Sequence, residues 1–259
     1  MIPVLPGKKP LFGRRVILLD QTGSTNSVLK EWALQGAEEG TVVVAREQQA
    51  GRGRGQHRWN SPRDLGLYCS LLLRPALTAS QSGVLALLLT LAVIKAIRRT
   101  AGISPGIKWP NDIMIAGRKV CGILVENHLN GQQMAFAVAG IGINVQQSLA
   151  DFPLALRQNS TSLRLSSGRS VDKDEILLQL LHQMNLLYPS LADMKMRRTW
   201  VNTWQQHCQH MDQPIAITQG GHSAEGIFRG ITPWGAARVQ VASGEILQLE
   251  SGEFSLREK

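Results

Sequence analysis

Two short segments concentrate the residue types that hold anions. In Gln48-Gln49-Ala50-Gly51-Arg52-Gly53-Arg54-Gly55, glycines alternate with arginines. Glycine lets a backbone approach a ligand closely, and its N–H groups together with guanidinium forks can surround an anion. No Gly-Lys-Ser/Thr closes this loop as a Walker A loop would. As a dinucleotide fingerprint it fails at the third glycine, where Gln56 stands, and His57–Pro62 cannot open a helix. A surface turn with solvated arginines is the competing reading, since motifs this short recur by chance.

The second segment, Lys108-Trp109-Pro110-Asn111-Asp112, puts a lysine, an amide and a carboxylate within five residues. Together they suit a phosphate and a Mg²⁺, although an Asx-turn beside an exposed lysine fits the same residues. Pro110 holds Trp109 extended. A third hint is Lys119 at a strand edge, with Gly122 inside the strand and Gly140 and Gly142 in the next one. Glycine in a strand marks close approach of a ligand, or a bulge or tight packing.

Other chemistries find less support. His207, Cys208 and His210 fall on an expected helix, with Cys208 turned from the other two, so a metal site is set aside. No Gly-x-Ser-x-Gly elbow supports a serine hydrolase. Cys69, Cys121 and Cys208 lack paired spacing and read as reduced thiols of a cytoplasmic protein.

These residues must be positioned by something. Leu18–Leu19 closes a short strand, and Gly23-Ser24-Thr25 then starts a helix, a hydroxyl being available as its cap and Gly36 ending it. Thr41–Ala45 and Leu67–Leu73 read as strands, and Ser82–Thr100 as a core helix stopped near Gly102. Strands Ile113–Ile115, Val120–Glu126 and Met134–Val145 follow, joined by hairpin turns at Ala116-Gly117 and Asn130-Gly131. Adjacent hairpins mean antiparallel pairing, hence an α+β sheet. Asp151–Arg169 reads as a polar loop, and Asp174–Leu191 and Asp193–His210 as amphipathic helices, with Trp200 and Trp204 on one face of the second.

Beyond Gln213 the texture changes to short strands, Ile215–Thr218, Gly226–Ile231, Ala237–Val241 and Ile246–Leu249, which suggest a small barrel. The expected organisation is an irregular arm over 1–13, a main domain over 14–211 and the barrel over 212–259.

Hydrophobic content of 43% and charged content of 18% describe an ordinary soluble protein. The net charge of +9 points to anionic partners. No nucleic-acid reading module accompanies it, and a phosphate-bearing substrate needs only a local cluster such as Arg46 to Arg63. Met1–Pro10 has no secretory apolar stretch, and the run Val84–Ile94 is too short for a bilayer.

In order along the chain, these motifs resemble those of the biotin–protein ligases. Gly23-Ser24-Thr25-Asn26, then Gln48 to Arg54 with Trp59, are similar to that family's first two motifs, and Lys108 to Asp112 and Lys119 to Glu126 to the next two. Gly140-Ile141-Gly142-Ile143-Asn144 resembles its fifth, and Gly252 to Arg257 its C-terminal signature. The resemblance runs from about Asp20 to Arg257. It implies a class II aminoacyl-tRNA-synthetase-like catalytic domain with an SH3-like barrel at the C-terminus. It also implies an ATP-dependent ligase that makes biotinyl-5′-AMP and passes biotin to a lysine of the biotin carboxyl carrier domain of acetyl-CoA carboxylase.

By the same resemblance, Ser24, Thr25, Asn26 and Gln48 bind the ureido ring of biotin. Gly51, Arg52, Gly53 and Arg54 form the loop that closes over biotin and the adenylate. Lys119 binds the biotin carboxylate and the α-phosphate, and Gly122 leaves room for the valeryl chain. Arg52, Arg54, Trp59, Lys108, Asn111, Asn144 and Arg257 serve ATP, and Asp112 serves Mg²⁺ or the incoming lysine. Lys119, Arg54 and Asp112 are the catalytic set. Family members commonly carry a further Gly-Arg pair where Gln56 and His57 stand here, which leaves Arg58 as the substitute cation. The expected form is the short one, without an N-terminal DNA-binding domain, so neither DNA nor membrane is an expected partner; a homodimer is left open. A lipoate ligase of the same superfamily and a basic nucleic-acid-binding module are the alternatives.

Overall fold

The computed structural model describes residues 10–219, 222–250 and 255–258. Seven strands form the main sheet in the spatial order β1 (Val16–Leu19), β2 (Val42–Ala45), β3 (Gly66–Leu73), β7 (Gln133–Asn144), β6 (Arg118–Asn130), β5 (Asp112–Ile115) and β4 (Gly106–Lys108). Only β1 and β2 run parallel; every other pair is antiparallel, as the hairpin signals require.

Helices cover both faces of this sheet. Val42, Val44, Leu71, Leu73, Ala137 and Ala139 belong to the large core with α2 (Gly83–Ala101) and α4 (Lys173–Leu187). Their neighbours Val43, Leu72 and Val138 pack with Leu29 and Ala33 of α1 (Thr25–Leu34). Successive strand residues face opposite sides. With both sides covered, β2 and β3 are buried throughout and read as unbroken apolar runs.

α2 ends where Gly102 adopts φ 72° and its N–H bonds to Arg98 O, a left-handed cap suited to glycine. With the turn before it, Ala79–Ala101 is long and apolar enough to cross a bilayer, unlike the shorter run Val84–Ile94, but 72% of its apolar 18-residue part is buried inside the molecule. α3 (Leu163–Ser167) and short 3-10 turns at Leu149–Asp151 and Leu154–Leu156 occupy the stretch expected to be a plain loop. Short capping contacts account for this, since Ser162 Oγ accepts from Leu165 N–H and Asp151 bonds back to Ser148.

α5 (Met194–His207) leads to a second, antiparallel sheet of order β11-β10-β9-β8-β12. Its strands are β8 (Pro214–Gln219), β9 (His222–Ile231), β10 (Ala237–Gln240), β11 (Ile246–Leu249) and β12 (Ser255–Glu258). Among the described residues, β11 and β12 are not paired and the sheet stays open. Trp200 and Trp204 are both buried on one face of α5. The two sheets are joined by specific contacts: the Trp109 indole donates to Gly235 O at 3.1 Å, and the Arg197 guanidinium lies 3.8 Å over Trp234.

The structure moves several local expectations. Ser24 occupies the N-cap of α1, but its hydroxyl makes no cap bond. The hairpin between β6 and β7 turns on Gly131 and Gln132, because Asn130 pairs with Gln133. Gly131, with φ 61°, is thus the first central residue of a turn that sits one place later than one centred on Asn130-Gly131. The strand β4 has no counterpart in the sequence reading; at three residues it is too short to show a period. α5 stops at His207, so Cys208 and His210 lie beyond the helix.

Candidate active site

The alternation that splits the core also builds one wall of a cavity. Pairings Tyr68↔Gly142 and Ser70↔Gly140 between β3 and β7, then Gly142↔Gly122 and Gly140↔Leu124 between β7 and β6, put these residues in rows across the sheet. Asp112 of β5 extends the row beyond Gly122. Two of the glycines sit beneath Trp59: a Cβ at Gly142 would come within 2.4 Å of its Nε1, and one at Gly122 within 3.1 Å of its Cζ3. Gly122 lines the cavity and leaves room for Trp59 and the Lys119 stem, whose Cε lies 3.2 Å from that Cβ position.

The cavity has a volume of about 690 Å³, within the usual range for small-molecule sites. Its two ends differ in chemistry. At the polar end, the Thr25 N–H and hydroxyl lie 2.9 and 3.1 Å from Gln48 Oε1, and Gln48 Nε2 donates to Ser61 Oγ at 2.9 Å. Asn26, buried, donates from Nδ2 to Glu126 Oε2 at 2.7 Å and to Leu124 O at 3.4 Å. Asn26 Oδ1 can only accept, so the Ser70 hydroxyl, 2.5 Å away, donates to it. A Cβ on Gly140 would lie 2.2 Å from that same Oδ1, which is why the residue there has no side chain. Asn26 is thus largely committed inside the protein, and Ser24, Thr25 and Gln48 remain beside it in the lining.

Away from this cluster the lining carries four cations, Arg54, Arg58, Lys108 and Lys119, with the carboxylate Asp112, while a fifth cation, Arg52, turns toward Glu126 beside Asn26. Lys119 Nζ pairs with Asp112 at 2.7 Å and stands 5.5 Å over the Trp59 ring. Its backbone is held by Asn159 and Thr161, through bonds of 2.8 and 2.9 Å. Lys108 is the cross-strand partner of Asp112. Burial pushes the Arg54 guanidinium below its ordinary pKa, and the nearby Asp112 charge opposes that shift. This end holds positive charge in partial burial, which favours a polyanion.

The glycine-arginine segment is a hairpin-like flap at the mouth. Trp59 N–H donates to Gly51 O at 2.9 Å and Gly53 N–H to His57 O at 2.8 Å. Gly51 is packed against Trp59 O and Ser61 Oγ beneath the flap and is absent from the lining, whereas Gly53 lines it. Gln56 and His57 line it as well. Arg52 reaches across to Glu126, 2.7 Å away.

Of the residues expected at the nucleotide, one is placed elsewhere and one cannot be placed. Asn144 is buried and absent from the lining; its amide donates to Thr161 O at 3.0 Å and accepts from Gln147 at 3.2 Å. It supports the loop that holds Lys119. Arg257 lies on β12, and its side chain falls outside the described residues. Asn111 does line the cavity, and its amide nitrogen donates to Ile123 O. Sequence reasoning missed Ser70 and Glu126. The signal for Ser70 was a small hydroxyl within the apolar run of β3; Glu126 closed the motif that begins at Lys119, but no role was attached to it. Among the described residues there is no group of three or more His, Cys, Asp or Glu side chains that could hold a metal ion.

Comparison with known proteins agrees with this geometry. Residues 18–144 match the Biotin/lipoate A/B protein ligase family, and residues 210–257 match the Biotin protein ligase C terminal domain. The chain is 40% identical over 174 residues to the bifunctional ligase/repressor BirA of Bacillus spizizenii, covering 67% of this chain and 54% of that protein. It is 32% identical over 241 residues to the biotin–[acetyl-CoA-carboxylase] ligase of Paracoccus denitrificans, covering 88% of this chain and 95% of that one. The structure of the Aquifex aeolicus biotin protein ligase in complex with biotin and ATP superposes with a TM-score of 0.81 at 30% identity, covering 95% of this chain and all of that one. With that identity along almost the whole Paracoccus denitrificans enzyme, and with this fold, the chain belongs to the biotin protein ligase family.

Proposed function

We propose that this protein is an ATP-dependent biotin ligase acting in two steps. The observation that carries the reading is one cavity whose lining combines a hydroxyl-and-amide cluster with five cations, in a chain similar to ligases named for biotin. In the first step a biotin carboxylate oxygen attacks the α-phosphorus of ATP. A P–O bond forms, the bond to the β-phosphate oxygen breaks, and pyrophosphate leaves. In the second step the amine of an acceptor lysine attacks the carbonyl of biotinyl-5′-AMP, loses its proton and expels AMP.

Neither step needs a protein nucleophile, so positioning and charge neutralisation carry the catalysis. Lys119 brings the two anions together and steadies charge as it builds on the α-phosphate. Arg52, Arg54 and Lys108 take the remaining phosphates, with Arg58 on the side of the flap where Gln56 and His57 offer none. Trp59 packs beside the nucleotide. Ser24, Thr25 and Gln48 hold the ureido head, whose N–H and C=O groups need partners once buried. Asp112 is the lining carboxylate suited to Mg²⁺, which is commonly held by one or two carboxylates plus substrate phosphates; when bound, the ion neutralises phosphate charge. In the second step Asp112 orients the incoming amine.

The acceptor in this reading is a biotin carboxyl carrier domain, the setting is cytoplasmic, and residues 14–211 and 212–259 are the two domains. The deciding experiment follows pyrophosphate release from ATP and Mg²⁺ with biotin or with lipoate. Turnover with biotin is expected. Turnover with lipoate alone would replace the substrate, and turnover with neither would remove the enzyme reading.

A further inference from the structure

A polar chain runs around the base of the flap. It starts at Arg52, whose Nη2 donates to Glu126 Oε2 at 2.7 Å. The same oxygen accepts from Asn26 Nδ2 at 2.7 Å. Asn26 Oδ1 accepts from Ser70 at 2.5 Å, and Ser70 Oγ lies 2.7 Å from Thr25 Oγ1. Thr25 bonds to Gln48 Oε1, and Gln48 Nε2 donates to Ser61 at 2.9 Å. Gln48 and Ser61 are the two stems of the flap, joined by Gln48 N–H to Ser61 O at 3.2 Å. The circuit thus leaves the flap at Arg52, crosses the floor of the polar end and returns to the flap at its base.

We infer that Glu126 is a positioning residue that couples the flap to the polar end of the cavity. An exposed ion pair by itself contributes little, and Arg52 is 40% exposed. Glu126 differs from such a partner because one oxygen serves both Arg52 and Asn26, and Asn26 has no freedom to turn. It is 4% exposed, wedged over Gly140, and bonded at both ends of its amide. Flap position and amide orientation are therefore set together. Removing the carboxylate leaves the buried Asn26 N–H short of a partner and Arg52 free to swing away. What the flap covers rests on the biotin ligase reading above; the coupling itself does not.

The test uses the intact protein without ligand and hydrogen exchange of the amides of residues 51–58. Glu126→Ala is expected to speed exchange there by about tenfold while β3 keeps its protection. Arg52→Ala, a change on the flap that leaves the core intact, is expected to do the same. The double variant should be no faster than either single one, the mark of a shared interaction. Glu126→Gln keeps an oxygen for Asn26 and should restore most of the protection. Additive effects, or exchange within about twofold of wild type in Glu126→Ala, would overturn the coupling. In pyrophosphate exchange, Glu126→Ala should raise KM for biotin by about tenfold and leave kcat within about threefold. Unequal effects in the reverse sense, on kcat alone, would also overturn it. Wild-type protein that turns over neither biotin nor lipoate would sink the ligase reading alone, with flap exchange still deciding the coupling.

Discussion

Trp109 and His210 meet at the junction of the two sheets: the Trp109 backbone N–H donates to His210 Nε2 at 3.2 Å. Around this bond, Gln209 N–H donates to Ile107 O at 3.0 Å, and His210 lies edge-on to Phe228 of β9 with centroids 4.7 Å apart. Lys108, at the end of β4, and Asn111, in the loop after it, therefore stand on a segment that the C-terminal sheet helps to hold.

Stability should fall with acid through His210. Burial, and then the Lys108 charge, push its pKa from 6.5 down to about 4. A nitrogen that accepts from Trp109 must also be unprotonated. Between these two values the unfolded chain binds a proton that the folded chain refuses, so stability drops as pH falls from 6.5 toward 4 and levels off below. The full loss is about 3 kcal/mol. Urea unfolding of wild type and His210→Gln at pH 7 and pH 4.5 measures it. Equal pH slopes in the two proteins would refute the assignment.

Lys119→Ala should reduce biotin-dependent ATP–pyrophosphate exchange by about a hundredfold or more, the usual scale for removing one charge-stabilising donor. The fold should survive, because Lys119 is held in place by its backbone bonds to Asn159 and Thr161, which alanine also makes. Lys119→Arg should recover little, since the wider guanidinium has to fit between Asp112 and Trp59. Exchange near the wild-type rate in Lys119→Ala would remove this residue from the centre of the mechanism.

Gly140→Ala should damage the polar end without touching a charge. The new Cβ would lie 2.2 Å from Asn26 Oδ1, so Asn26 must move and the Ser70 bond is lost. Overpacking of this kind costs about 1–3 kcal/mol of stability. Biotin affinity, read by calorimetry, should fall about tenfold or more while ATP affinity holds. Unchanged biotin affinity would show that Asn26 does not shape that end.

Much of the chemistry was legible in the chain because it is local. Gly51 to Arg54, Lys108 to Asp112 and Lys119 carry their backbone constraints and charges within a few residues, and all three segments form parts of the one cavity. Strands β2 and β3 and helix α2 were legible for a related reason: burial on both sides writes itself as a continuous apolar run. Short elements escaped, as with β4 and the turns between Leu149 and Ser167, since so few residues show no period.

The order and types of these residues, read alone, determined a cationic site, an α+β framework and a family resemblance. Only the tertiary structure decided which partner each side chain takes. Pairing across β3, β7 and β6 puts Gly122 and Gly142 under Trp59, turns Asn144 inward to Thr161, and makes Glu126 the shared partner of Asn26 and Arg52. Those contacts join residues far apart in the chain, and their register follows from how both faces of the sheet are buried, which no local stretch of residues encodes.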